Sequence, residues 1–358
     1  TLSSSSAASD VYKRQLKADK NPMMWFLDQG QPKLDEIEIS ERCAATEAKL
    51  ADAAIITIGR QAGEGMDRQI EGEFNLTDNE KKMIFRVSDI FRAAGKPVIV
   101  IINSGSVMET ASWRDRADAI LVAWQPGEEG GNSVADVLTG KANPSGHLTM
   151  TWPIAATDHP STKNFAPQYD MYTYRTMEDW GAGNIPGVDF CNHEEDIYVG
   201  YRYFDTFRRQ VAYPFGYGLS YTTFAFANPS VRVKGNNVEV IITVKNTGSV
   251  AGKEVAQVYV QAPKGAYDKP AKELKAFAKT RELKPGDSET LKMVIEKRDL
   301  ASFDEAGSQW KADAGTYVFK FGASVEDIRA TSSLKLDGYT EKVNNVLAPQ
   351  QPLNLLKQ

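Results

Sequence analysis

Residues 53–59 (AAIITIG) form an unbroken apolar run that is the right length for a strand and too short for an ordinary helix. Such runs belong to strands covered on both faces, which is the situation of a parallel sheet with crossover helices packed above and below it. A polar, glycine-bearing stretch follows at 60–75, and then Thr77-Asp78-Asn79-Glu80 supplies a capping box, in which hydroxyl and carboxylate satisfy free amides at a helix start. The helix is expected to run to about Ala94 and stop at Gly95. Residues 96–105 (KPVIVIINSG) and 119–124 (AILVAW) read as two further buried strands, with a helix near 131–138. This alternation is α/β architecture.

The pattern changes twice downstream. Residues 158–196 are rich in Pro, Gly, Asn and aromatics without periodicity, as in an extended connection that packs on other surfaces. Past Tyr221, the segments VEVIITV, EVAQVYVQ, ELKAFAK, TLKMVIE and YVFKFGA are short strands separated by Asn-Thr-Gly, Lys-Pro-Gly-Asp and Asp-Ala-Gly turns. About seven such strands in ~110 residues imply an immunoglobulin-like sandwich. Residues 337–358 carry no such pattern and read as a loosely attached tail.

The bulk properties exclude several function classes. A formal net charge of -5 with no Lys/Arg block gives no surface that could track a phosphate backbone, so nucleic acid is not an expected partner. The three histidines, His147, His159 and His193, are isolated, and Cys43 and Cys191 form no C-x-x-C, so neither a metal hydrolase nor a zinc site is signalled. No metal and no cofactor are expected, and the two cysteines read as two buried thiols, with a single bridge between them as the alternative. No apolar run approaches the ~20 residues that span a bilayer, which points to a soluble chain, of the periplasm or the cytoplasm if the source is bacterial. Residues 1–15 (TLSSSSAASDVYKRQ) have no apolar signal core and read as an adapter-like segment outside the fold.

Chemistry concentrates in GRQAGEGMDR, residues 59–68, directly after the first strand. Open α/β sheets meet ligands at the carboxyl ends of their strands, and glycines on both sides of Glu64 suit a tight turn presenting one carboxylate. A glutamate in a polar loop is ordinarily a solvated charge, so these residues alone leave catalysis and solvation both open.

The ordered set IGRQAGEGMDR, INSGSVMETASW, LVAWQPGEEGGNSVADVLTGKANPSGHLTMTWP, EEDIYVGYRYFD and YPFGYGLSYTTF resembles the second and third domains of family 3 glycoside hydrolases of β-glucosidase type, over residues 51–336. The resemblance implies an α/β sandwich domain, incomplete at its amino end, followed by a fibronectin type III-like β-sandwich. The divisions are 16–50 as a remnant leading in, 51–220 as the α/β domain with its long connection at 158–213, 221–336 as the sandwich, and 337–358 as the tail. In this family a barrel domain carries an aspartate nucleophile, and the Gly-Glu-Gly motif carries the general acid/base. That motif falls on Gly63-Glu64-Gly65. A (β/α)₈ barrel takes ~250 residues, more than the chain holds before residue 51, so no nucleophile is expected within it.

The resemblance further implies retaining, exo-acting hydrolysis of a terminal β-linked glucoside or oligosaccharide, with the barrel domain of the parent chain as partner and the isolated chain inactive. Met66 stands where relatives often carry Tyr beside the leaving-group subsite, so it is a candidate lining residue, against the alternative of a methionine filling a gap. Asp67 and Arg68 are expected to hold the loop, and Trp113, Trp124 and Trp152 to be core. Glu128 and Glu129 precede a helix, where the dipole favours acids, and so read as structural. Glu194-Glu195-Asp196 reads as lining between domains or along a cleft, with packing roles for Tyr198, Tyr201 and Tyr203. Two other readings are a β-xylosidase-type member of the family and a non-catalytic carbohydrate-binding or interaction module. The β-N-acetylglucosaminidase branch is disfavoured, because it places its acid/base in the barrel.

Overall fold

The computed structural model describes residues 36–60, 68–164, 192–265, 267–344 and 354–357. Two compact units emerge, Thr1–Val107 with Trp113–Gln125, and Met108–Ser112 with Pro126–Gln358.

In the first unit, helix α1 (Glu41–Leu50) starts at Ser40, whose hydroxyl accepts from the Cys43 amide at 3.2 Å. It buries Ala44 and Ala48, leaving Cys43 exposed on another face, so the expectation of a buried thiol there is corrected. Cys191 lies outside the described residues. Strand β1 (Ala54–Gly59) is followed by helix α2 (Asp78–Ala93), which begins at the expected capping box: Thr77 N donates to Glu80 at 2.8 Å and Glu80 N to Thr77 Oγ1 at 3.2 Å. Gly95, at φ 70°, turns the chain out of the helix as its sequence position predicts. Strands β2 (Val98–Asn103) and β3 (Ala119–Val122) complete a parallel sheet in the order β1-β2-β3, with Ala54 opposite Val98 and Ile99 opposite Ala119.

Strand β2 is buried along most of its length, but β1 alternates buried and exposed, with Ile55 56% exposed. The expectation that β1 is covered on both faces is therefore corrected. Among the described residues β1 is an edge strand, and no described element covers the face that carries Ile55.

The second unit contains helix α3 (Gly130–Leu138), helix α4 (Tyr201–Thr206) and a sandwich. The sandwich strands are β4 (Phe224–Lys234), β5 (Asn237–Asn246), β6 (Val255–Gln261), β7 (Glu273–Lys279), β8 (Ser288–Glu296), β9 (Ser302–Asp304), β10 (Gln309–Ala312), β11 (Gly315–Gly322), β12 (Ile328–Leu336) and β13 (Tyr339–Lys342). They form antiparallel sheets β12-β11-β6-β7 and β4-β5-β8, with a small third sheet β13-β10-β9. Val238, Val240, Ile242, Val244, Tyr317, Phe319 and Phe321 interleave as a dry core, each large side chain contributing ~1.5–3 kcal/mol by leaving water. Residues 339–342, placed by sequence in a patternless tail, pair with β10; the strand is too short and polar for its alternation to stand out.

Segments before the sandwich are bonded into the same unit. Asn143 accepts from Ser220 Oγ at 2.9 Å and Tyr221 N at 2.8 Å, and donates to Ala251 O at 2.9 Å. His147 Nδ1 faces Gly216 O at 2.7 Å and Nε2 faces Glu254 Oε1 at 3.1 Å.

Candidate functional site

The carboxyl edge of the parallel sheet gathers the polar residues of the first unit. Strand β1 ends at Gly59, and Arg60 continues the ladder with its amide on Asn103 O at 2.9 Å. The Arg60 side chain then turns inward. Its Nη1 and Nη2 meet the two carboxylate oxygens of Glu80 at 2.6 and 2.8 Å, and its Nε donates to Glu73 O at 2.9 Å. Both side chains of the pair are nearly sequestered, 4% and 8% exposed, so the fork-on-fork geometry compensates the loss of water around two charges. Glu80 thus serves at once as cap of α2 and as counter-ion of Arg60.

Arg68 occupies the other side of the same turn. It donates through Nη2 to Glu73 O at 2.6 Å and through Nη1 to Val107 O at 2.6 Å and to the Ser106 hydroxyl. Burial first, and then the neighbouring Arg60 guanidinium, lower the pKa of Arg68 below its ordinary value, while Glu73 opposes the shift. The acceptors are themselves set in place. Ser104 Oγ donates to Ser106 O at 2.8 Å and accepts from Ser106 N at 3.3 Å, and residues 70–74 form a tight turn with Gly72 at φ 74°. A Cβ at Gly105 would stand 3.0 Å from the Gln125 carboxamide, so the loops after β2 and β3 touch there.

Glu64 and Met66, the residues singled out by sequence, lie outside the described residues, as does Asp67. The structure does describe what brackets them: Arg60 on one side and Arg68 on the other, both bonded to the carbonyl of Glu73. Sequence reasoning expected Arg68 to hold the loop but missed Arg60, Glu73, Ser106 and the second role of Glu80. The capping box was the available signal, since its carboxylate has oxygens to spare for an arginine at a strand end.

Trp113 and Trp152 are fully buried, as expected of core residues, whereas Trp124, expected with them, is only half-buried, at φ 55° just after β3. Glu129 accepts from Asn132 Nδ2 at 2.6 Å at the start of α3. Tyr198 packs edge-on to Phe207 at 5.0 Å, Tyr201 stacks on Phe215 at 4.5 Å, and Tyr203 lies 5.2 Å from Phe207. Asp196, at φ 51°, has its carboxyl pKa raised by burial and then by Asp268. Among the described residues no group of three or more His, Cys, Asp or Glu could hold a metal ion, and no helix is long and apolar enough to cross a membrane.

A family model described as Glycosyl hydrolase family 3 C-terminal domain matches residues 7–221, more than half of the chain, and its span includes residues 7–15 of the segment set aside above. The chain belongs to glycosyl hydrolase family 3. A Fibronectin type III-like domain matches residues 254–325, within the sandwich. Beta-glucosidase A of Butyrivibrio fibrisolvens is 37% identical over 88% of this chain, and an exo-alpha-(1->6)-L-arabinopyranosidase of Bifidobacterium longum is 35% identical over 91%. Beta-glucosidase 3B of Thermotoga neapolitana, solved with alpha-D-glucose, superposes with a TM-score of 0.83 at 42% identity over 94% of this family 3 chain. The chain spans 41%, 39% and 45% of the lengths of these three proteins. The α/β sandwich domain followed by a fibronectin type III-like domain, expected from sequence, is what the two family matches and the structural likeness support.

Proposed function

We propose that this chain is the acid/base-bearing part of a retaining, exo-acting glycoside hydrolase of β-glucosidase type, and that Glu64 is the general acid/base. The observation that carries the reading is the bracketing of residues 61–67 by two anchored arginines at the carboxyl edge of a parallel sheet, in a chain of this family. Glu64 first protonates the leaving oxygen while a nucleophile carboxylate from the barrel of the parent chain attacks the anomeric carbon. It then takes a proton from the water that releases the sugar. A group with both duties needs a pKa near working pH. Met66 lines the leaving-group subsite, and neither metal nor cofactor takes part.

The test uses a hybrid in which this chain replaces the matching region of the Thermotoga neapolitana enzyme, with methyl β-glucoside as a poor leaving group and a dinitrophenyl β-glucoside as an activated one. Glu64→Ala should lower kcat/KM for the methyl glucoside by ~10²–10⁴-fold and spare the activated substrate, which needs no proton. Equal losses on both would overturn the assignment. A panel of aryl β-glucoside, β-xyloside and α-L-arabinopyranoside then reads the sugar preference. The isolated chain should turn over none of them, because ordering nucleophile and acid around one carbon contributes roughly 7–11 kcal/mol. Turnover abolished by Glu64→Ala would place a nucleophile inside this chain.

A further inference from the structure

We propose that Trp124, Asn103 and Gln125 form a contact site for a pyranose ring of the substrate at the carboxyl edge of the parallel sheet, with Trp124 as its stacking face. The inference deepens the proposed function and rests on it only for the class of substrate. Its starting point is a strained backbone. Trp124 stands at φ 55°, in the left-handed region, just after β3. A residue with a Cβ is disfavoured there by about 5–30-fold, and a bulky side chain is the least suited to it. Among the described residues, the other non-glycine positions with positive φ are Asp196, Arg208, Asn228 and Ser308, so Trp124 is the only aromatic one. Where the chain takes the same conformation nearby it uses glycine, at Gly95 and Gly127 with φ 70° and 73°. Core packing does not account for the exception, since Trp113 and Trp152 are 0% exposed whereas Trp124 is half-buried. Strain of this kind persists where the side chain it presents has a use.

The surroundings have the chemistry of a sugar site. Strand β2 lies between β1 and β3, and neighbouring strands are ~4.8 Å apart, so the ends of β1 and β3 stand about 10 Å from each other. Between them β2 ends at the exposed Asn103 and continues through Ser104, Gly105 and Ser106. Ser104 is buried with its hydroxyl on Ser106 O, which leaves Gly105, exposed and without a side chain, as a floor. The exposed Gln125 lies against this floor, its carboxamide 3.0 Å from where a Cβ of Gly105 would stand. Arg60 and Arg68 are engaged by Glu80 and by the carbonyls of Glu73 and Val107. The crevice thus offers an indole and two neutral carboxamides, which suit the apolar C–H face and the hydroxyls of a sugar ring better than they suit an anion.

The test labels the hybrid enzyme described above with fluorotryptophan and follows it by fluorine NMR, the Trp124 resonance being the one that Trp124→Phe removes. Glucose supplies a glycone ring alone, and thiocellobiose, whose sulfur linkage resists hydrolysis, adds a leaving-group ring. The Trp124 resonance should shift with at least one of them, and which one tells the side on which the ring lies. A resonance unmoved by saturating amounts of both overturns the site. Kinetics give a second readout: Trp124→Ala should raise the KM for cellobiose by ~3–10-fold with kcat within about 3-fold, and Trp124→Phe should recover most of the loss. An unchanged KM in Trp124→Ala would leave the indole with a structural role only. In this chain, Trp124→Gly should exchange its β2 and β3 amides about 5-fold more slowly than Trp124→Ala, because both lack the indole and glycine alone takes φ 55° without cost. Equal exchange would mean that no strain is held there, and the proposal falls. If Glu64→Ala proves unselective in the hybrid, the acid/base reading falls by itself, while the fluorine shift still judges Trp124.

Discussion

The sandwich and the parallel sheet are both built from strands, yet they are held in different places. In the sandwich, β5 and β11 turn Val238, Val240, Ile242, Tyr317, Phe319 and Phe321 into a common apolar interior. In the sheet of the first unit, β1 leaves one face open at Ile55, and the strongest directional contacts sit at the carboxyl edge, in the Arg60–Glu80 pair and the bonds of Arg68. A core of the first kind is indifferent to which loop connects its strands. An edge of the second kind ties together the residues at the ends of its strands.

The contrast predicts which deletions hurt each region. Phe319→Ala, at a fully buried position, should lower sandwich stability by ~4 kcal/mol, through lost transfer energy and a residual cavity. Urea unfolding followed by far-UV circular dichroism measures this, and a loss below ~1 kcal/mol would mean that the sandwich is not held by its interior. In the first unit the comparable lesion removes a charge instead of volume. Glu80→Ala leaves the Arg60 guanidinium buried without its carboxylate and removes the acceptor of the Thr77 amide, the reciprocal half of the capping box, and should cost ~3 kcal/mol. Glu80→Gln keeps an acceptor for both and should lose less, so the difference between the two variants isolates the charge.

A third variant asks whether the sandwich tolerates losing a polar residue. Asn246 is fully buried and uses its whole carboxamide: Nδ2 donates to Val250 O and Leu283 O at 2.8 Å each, and Oδ1 accepts from Thr222 Oγ1 at 2.7 Å and Gly248 N at 3.0 Å. Asn246→Leu strands the Val250 carbonyl and two donors, leaves Leu283 O with the Gly252 amide alone, and should cost ~2 kcal/mol, less than the aromatic deletion. A larger loss than that of Phe319→Ala would reverse the ranking of packing over polar contacts in this region.

Legibility in the sequence followed the range of the interactions. The capping box, Gly95 and the apolar runs of β1, β2 and β3 are local signals, and each marked an element that the structure contains. Strand β4 was less visible because Asn228 and Pro229 interrupt its alternation; the structure accommodates them with Asn228 at φ 53° and a register shift between Ala227 and Ser230. Strand β12 alternates Arg329, Thr331, Ser333 and Lys335 with Ile328, Ala330, Ser332 and Leu334, a weak pattern suited to a sheet edge. The loop after β1 was singled out from sequence, but the contacts of the residues that flank it were not legible there. Arg60 and Glu80 are separated by 20 residues, and Arg68 and Val107 by 39, so no local pattern announces their pairing.

The opposite end of the parallel sheet offers the mildest test, because it uses the same chemistry in the presence of solvent. At the amino-terminal end of β2, Asp118 accepts from the Val98 amide at 2.8 Å and from Arg92 Nη2 at 2.9 Å, with its side chain 41% exposed. The Val98 hydrogen bond first, and the Arg92 contact second, hold the Asp118 carboxyl below its ordinary value. A carboxyl depressed in the folded state stabilises it at pH values above ~4, where the unfolded chain is also ionised; the contribution fades as pH falls through the depressed folded value. Solvent screening limits it to about 0.5 kcal/mol. Asp118→Asn should therefore lower the stability of the first unit slightly at pH 7, and the difference from wild type should shrink as pH drops below ~4. Hydrogen exchange at the β2 and β3 amides, compared at pH 7 and pH 3 after correction for intrinsic rates, measures it. If the variant costs as much as Glu80→Ala, the exposed end of the sheet is held as firmly as its buried end, and the distinction between the two ends disappears.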